Sequence, residues 1–165
     1  MKDQSGLALA VAVSVMLSAG ASLAQAPDHA VGRNLTEMNF VALPGLPGCA
    51  LNAVQSGDPA KGPSIILAKI ASGCTVPWHW HTPNEHLMMV SGTARVEPRE
   101  GKAIVLKEGG FAHLPPRHVH QFTCLSDCVM YVQADGPFDI HYVDAQGKEI
   151  APEAALKAVQ SAQRR

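Results

Sequence analysis

The chain has 165 residues, a formal net charge of −1, 47% hydrophobic residues and only 16% charged ones. That length suits one core-bearing domain rather than two. The near-neutral balance and the lack of a basic cluster argue against nucleic acid or an anionic membrane surface as a partner, and the low charge argues against a disordered chain.

The amino terminus carries Lys2, an apolar run from Leu7 to Leu17 and small residues through Ser22, Ala24 and Ala26. This is the layout of a secretory signal, expected over residues 1–24 with cleavage after Ala24. Its apolar stretch falls short of the about 20 residues that span a bilayer. The expected mature chain, 25–165, is therefore exported, periplasmic or secreted, with no stable membrane anchor after cleavage.

Residues 25–40 show weak patterning, and the proline and glycine of 41–48 exclude a central strand there. Residues 56–63 read as a loop. Strands are expected over 64–71, 85–90, 93–96, 102–107, 111–114, 119–124, 128–134 and 138–143, with 91–92 and 125–127 read as hairpin turns. Only 152–162 reads as a helix, opened by Pro152 and rich in strong helix formers. Short strands at close spacing predict an all-β sandwich or barrel over about 41–150, with the helix at its end. The whole of 25–165 is expected to be one domain.

Four cysteines, Cys49, Cys74, Cys124 and Cys128, are an even number in a chain expected to leave the cytoplasm, which favours disulfide bonds. Cys124 and Cys128 flank the three-residue turn and are expected to bridge across it, leaving Cys49 for Cys74. Three connectivities remain open on sequence alone.

The densest chemistry lies between His79 and His120, which bracket six of the eight histidines. Residues i and i+2 of a strand share a face, so His79 and His81 can hold one ion together. Glu85 follows across a turn at 82–84, and a further candidate comes from the segment 115–120. Three imidazoles and one carboxylate suit a divalent transition metal (iron, manganese, copper or zinc), with room for water or a small-molecule ligand.

The spacing Gly73-x5-His79-x-His81-x3-Glu85-x6-Gly92 resembles the first cupin motif at every fixed position. Gly109, Pro115 and His120 meet the second motif, which departs at Arg117, where glycine is expected, and at Cys124, where asparagine is expected. The resemblance covers residues 73–124. It implies a cupin-type antiparallel β-barrel, a double-stranded β-helix or jelly roll, holding one divalent metal through His79, His81, Glu85 and His120.

Around that site His118 shares parity with His120 and is the candidate acid or base. His86 should face away from the metal. Trp78 and Trp80 offer a platform at the barrel mouth, core packing or the interface of a homodimer. Arg117 could clamp an anion or face solvent. The function expected is a mononuclear metal-dependent oxidoreductase of the dioxygenase type acting on a small molecule. The alternatives are a non-catalytic metal- or ligand-binding barrel and a Lewis-acid isomerase or lyase.

Overall fold

Alternating burial along the strands builds two antiparallel sheets that face one another. In the computed structural model, which describes residues 29–163, the strands are β1 (Val41–Ala42), β2 (Ala50–Gly57), β3 (Ser64–Ile70), β4 (Thr75–Trp80), β5 (Glu85–Ser91), β6 (Ala94–Pro98), β7 (Ile104–Leu106), β8 (Phe111–Leu114), β9 (His120–Cys124), β10 (Cys128–Ala134) and β11 (His141–Tyr142), followed by helix α1 (Pro152–Gln163). The expected signal, residues 1–24, lies outside the described residues.

One sheet runs β1-β2-β3-β10-β5-β8 and the other β11-β4-β9-β6-β7. Along β5, Glu85, Leu87 and Met89 are buried while His86 and Met88 are only half-buried. Along β9, His120, Phe122 and Cys124 point inward. That period of two turns one apolar face of each sheet toward the other. Leu87, Met89, Val96, Phe122 and Met130 fill the space between, and Ala155 of α1 joins the same core.

The chain changes sheet at most of its turns, and this corrects two expectations. Strands β5 and β6 flank Gly92 but do not pair: β5 lies between β10 and β8, and β6 between β9 and β7. Gly92 makes the corner, since its φ of 89° is left-handed and a Cβ there would meet the Asp127 carbonyl oxygen at 2.1 Å. Likewise β9 and β10 are not a hairpin, because 125–127 carries the chain from one sheet to the other.

Cys124 and Cys128 are accordingly free thiols, both buried, and the expected bridge between them is not formed. The Cys128 thiol donates to the Ser126 and Thr93 carbonyls instead, and burial pushes both thiols up. Cys49 and Cys74 do form a disulfide, with Cα atoms 5.9 Å apart. It ties the segment entering β2 to the turn entering β4.

Two further differences have simple causes. Strand β2 reaches Gly57 and so takes in residues assigned to a loop, because its pairing with β3 outweighs its weak apolar pattern. The strand expected over 138–143 shrinks to β11, since Phe138 and Ile140 turn toward the interior cavity rather than pairing. Helix α1 forms as expected.

Candidate metal centre

Strand register assembles the histidines. His79 on β4 pairs with His120 on β9 and with Tyr142 on β11. The β4–β9 register shifts between Val76 and His79, around Pro77, which cannot donate to a ladder. This bulge lets Val76 and His79, three residues apart, both line the cavity, which strict alternation would forbid.

His81 lies one residue beyond β4, in a turn held from the segment 135–139. The Thr82 amide donates to Asp139 Oδ1 at 2.7 Å, and Asn84 donates from its backbone and side chain to Asp135 at 2.9 and 2.6 Å. The bond from Asn84 holds the Asp135 carboxyl below the ordinary carboxylate range. This turn delivers Glu85, which opens β5, to the same end of the barrel.

The nitrogens of His79, His81 and His120 that could ligate an ion lie within 4.8 Å of one another. Glu85 Oε1 is 3.5 Å from His81 Nε2, and Oε2 is 3.5 Å from His120 Nε2. All four residues are buried, none more than 6% exposed. The structure thus brings together His79, His81, Glu85 and His120.

Each ring is oriented through its other nitrogen. His79 Nδ1 bonds to the Pro77 carbonyl, His81 Nδ1 to the Asp139 carbonyl, and His120 Nδ1 to the His118 carbonyl at 2.9 Å. A carbonyl only accepts, so each neutral imidazole carries its proton on Nδ1 and presents the Nε2 lone pair. His81 Nε2 is buried with no hydrogen-bond partner. Three lone pairs therefore converge beside a carboxylate with no donor among them, an arrangement that suits a cation.

Electrostatics agree. Burial first, then the neighbouring His120 and His81, push His79 well below the ordinary histidine range, so it stays neutral. Burial raises the Glu85 carboxyl, but His81 and His120 more than offset this and leave it below its usual value, ionised at neutral pH. A carboxylate beside three imidazoles is a donor set that matches a divalent ion.

Other expected residues lie elsewhere. His118 is half-buried but faces an outer hollow with Arg99 and Arg117, and it is absent from the cavity lining. It precedes β9, so the parity it would share with His120 inside a strand does not hold. His86 faces away, stacked on His113 with ring centres 4.8 Å apart.

Trp80 faces away from the cluster and stacks on His141 at 3.9 Å, with the Arg117 guanidinium 4.6 Å from its ring centre. Trp78 lies under Arg99. Arg117 is exposed and holds a left-handed φ of 59° at the position where the motif has glycine.

Sequence reasoning missed the residues that shape the cavity beyond the four ligand candidates. Phe138 packs against His81, with ring centres 4.8 Å apart, and Leu43, Leu46 and Ile140 close the cavity near it. Tyr142 donates its hydroxyl to the Gly45 carbonyl at 2.7 Å, pinning the 43–46 loop, and burial raises its phenol. Nothing in local pattern marks these residues, because each acts across a large sequence separation.

The family profile described as "Cupin domain" matches residues 66–133, the span that holds all four ligand candidates. Over residues 66–133 the chain is similar to a cupin domain. The fold agrees, as three solved structures show. A polyketide cyclase, RemF, from Streptomyces resistomycificus aligns with a TM-score of 0.64 at 15% identity, covering 80% of this chain and 94% of that one. An RmlC-like cupin from Ralstonia eutropha gives 0.59 at 17%, covering 79% and 85%. An acetylacetone dioxygenase from Acinetobacter johnsonii gives 0.58 at 16%, covering 82% and 95%. No curated protein matches the sequence of this chain.

Proposed function

We propose that this chain is an exported cupin and acts as a mononuclear metal-dependent oxidoreductase, of the dioxygenase type, on a small molecule. The observation that carries the reading is the set of three Nε2 lone pairs aimed at one point beside the Glu85 carboxylate. His79, His81, Glu85 and His120 would hold the ion, with iron, manganese, copper and zinc all compatible with that donor set. When bound, the ion would polarise an oxygen-donor ligand and, if redox-active, exchange electrons with molecular oxygen.

The chain's own residues supply orientation and dryness. The three Nδ1 bonds lock the rings, and the apolar wall of Ile66, Val76, Leu87, Phe122 and Met130 excludes bulk water. The fold's appearance in an acetylacetone dioxygenase and a polyketide cyclase supports a small-molecule substrate. The signal-like terminus and the Cys49–Cys74 bridge support export.

One observation favours a second reading, metal binding without turnover: the cavity is small, about 60 Å³, and roofed by Leu43, Leu46, Phe138 and Ile140. The test is elemental mass spectrometry on the exported chain, followed by oxygen uptake with a panel of small oxygen-donor compounds. Near one redox-active ion per chain and substrate-dependent uptake support the oxidoreductase. A full complement of metal with no uptake supports plain binding, and full metal retention by His81→Ala would overturn the site itself.

A further inference from the structure

Each of the chain's two tryptophans lies under an arginine. The Arg99 guanidinium sits 5.4 Å from the Trp78 ring centre and that of Arg117 sits 4.6 Å from the Trp80 ring centre, both within cation–π reach. The two arginines line one outer hollow of about 210 Å³ together with Glu100, His118 and Val119. None of these residues lines the cavity of the metal centre, so the hollow is a separate place on the molecule.

Backbone pairing brings the two arginines together. Pro98 pairs with His120 in the β6–β9 ladder, and the Arg99 amide donates to the Val119 carbonyl at 2.9 Å. This sets Arg99 beside the turn 115–118, where the Arg117 amide donates to the His81 carbonyl at 2.8 Å and the His118 amide to the Pro115 carbonyl at 3.1 Å. Arg117 is the one non-glycine among the described residues with a left-handed φ, 59°. Strained backbone of this kind clusters at ligand sites. Arg99 is held as well, since its Nη2 donates to the Asp144 carbonyl at 2.8 Å.

The charge of the hollow is unbalanced. Neither Arg99 nor Arg117 forms an ion pair among the described residues, whereas Arg95 on β6 pairs with Glu97. Glu100 sets one negative charge against two positive ones, which leaves the hollow net positive and attractive to an anion. A guanidinium over an aromatic ring spends its face on that contact and keeps N–H donors on its edge for an acceptor.

We propose that this hollow binds a small oxyanion, carried as a phosphate or a carboxylate group, with Arg99 and Arg117 as its two charged donors. Two guanidinium forks suit the paired oxygens of either group.

The test titrates inorganic phosphate and acetate, at an ionic strength held constant with chloride, into the metal-loaded and the metal-stripped chain. Trp78 and Trp80 are the only tryptophans, so their two indole N–H resonances read the site directly. Saturable shifts of equal affinity in both forms are expected, because the hollow does not use the ion. The anion that binds tighter names the group. Arg117→Gly, which suits the left-handed backbone, should weaken binding about tenfold, as the loss of a charge-assisted hydrogen bond allows. Arg95→Gln removes the same charge from β6 and should leave the affinity unchanged.

Shifts that saturate with neither anion overturn the site. Binding confined to the metal-loaded chain puts the anion on the ion and overturns it too. Affinity untouched by Arg117→Gly, or lowered as much by Arg95→Gln, overturns the pairing of Arg99 with Arg117 as the clamp.

Discussion

Glu85 is the residue whose replacement separates a metal cage from a structural ion pair. If Glu85 served to pair with a protonated His120, Glu85→Gln would remove a buried ion-pair partner and destabilise the metal-free chain by about 3 kcal/mol or more. In a cage of acceptors, a glutamine amide instead donates to a lone pair, 3.5 Å away in the present geometry. The expected outcome is a metal-free melting temperature unchanged or raised, with metal affinity lowered at least about tenfold, of the order seen when a metal site is impaired. Calorimetric melting with and without chelator checks both halves. Arg117 offers a second residue-scale test. Its left-handed backbone costs about 1 kcal/mol, and its stack on Trp80 returns about 0.5–1 kcal/mol. Arg117→Gly relieves the first and loses the second, so it should be near neutral, whereas Arg117→Ala should lose the stack and keep the strain. Denaturant midpoints should place the glycine variant above the alanine variant by about 1 kcal/mol.

Elements are joined here more by crossings between sheets than by hairpins, and the Cys49–Cys74 bridge secures one such junction. It closes a loop with a sequence separation of 25, holding the end of the 43–49 segment against the start of β4. A cross-link over a loop of that size contributes about 3 kcal/mol by restricting the unfolded chain. Urea unfolding of the Cys49→Ser, Cys74→Ser double variant should show a loss of about that size. The 43–46 loop, which roofs the cavity, should also exchange its amide hydrogens faster. By contrast, Cys124→Ala should be mild in its effect on thiol chemistry, since that thiol is held protonated by burial. Sequence reading located most strands but missed β1 and β2, and it mistook the turns at Gly92 and at 125–127 for hairpins. Turn composition reports that a chain reverses; it does not report which sheet receives the next strand.

For the whole molecule, stability and metal retention should fail together on acidification. His79 has a folded-state value well below the ordinary histidine range. The unfolded chain therefore takes up a proton near pH 6.5 that the folded chain refuses, and the stability present above that pH is lost as pH falls toward the folded value. The metal-free chain should thus hold a level melting temperature above about pH 6.5 and decline steadily below it. Because an ion competes for the same deprotonated groups, its release should follow the same window and sharpen the decline of the loaded chain. Parallel melting curves from pH 8 to pH 4, with metal content measured at each step, check the coupling; a melting temperature that rises on acidification would contradict it.

The sequence by itself determined the composition of the site and the class of fold. Its ligand spacing made His79, His81, Glu85 and His120 legible, because short-range spacing on strands translates directly into shared faces, and its strand periodicity made the two-sheet architecture legible. Tertiary structure decided the rest. The β4 bulge that turns His79 inward, the Asp139 carbonyl that sets the His81 tautomer, and the exclusion of His118 all depend on partners distant in sequence. So does the meeting of Arg99 and Arg117 at one outer hollow. Pattern along a strand records which way a side chain points, while what it meets there is set by register between strands, and register is a property of the packed pair rather than of either sequence alone.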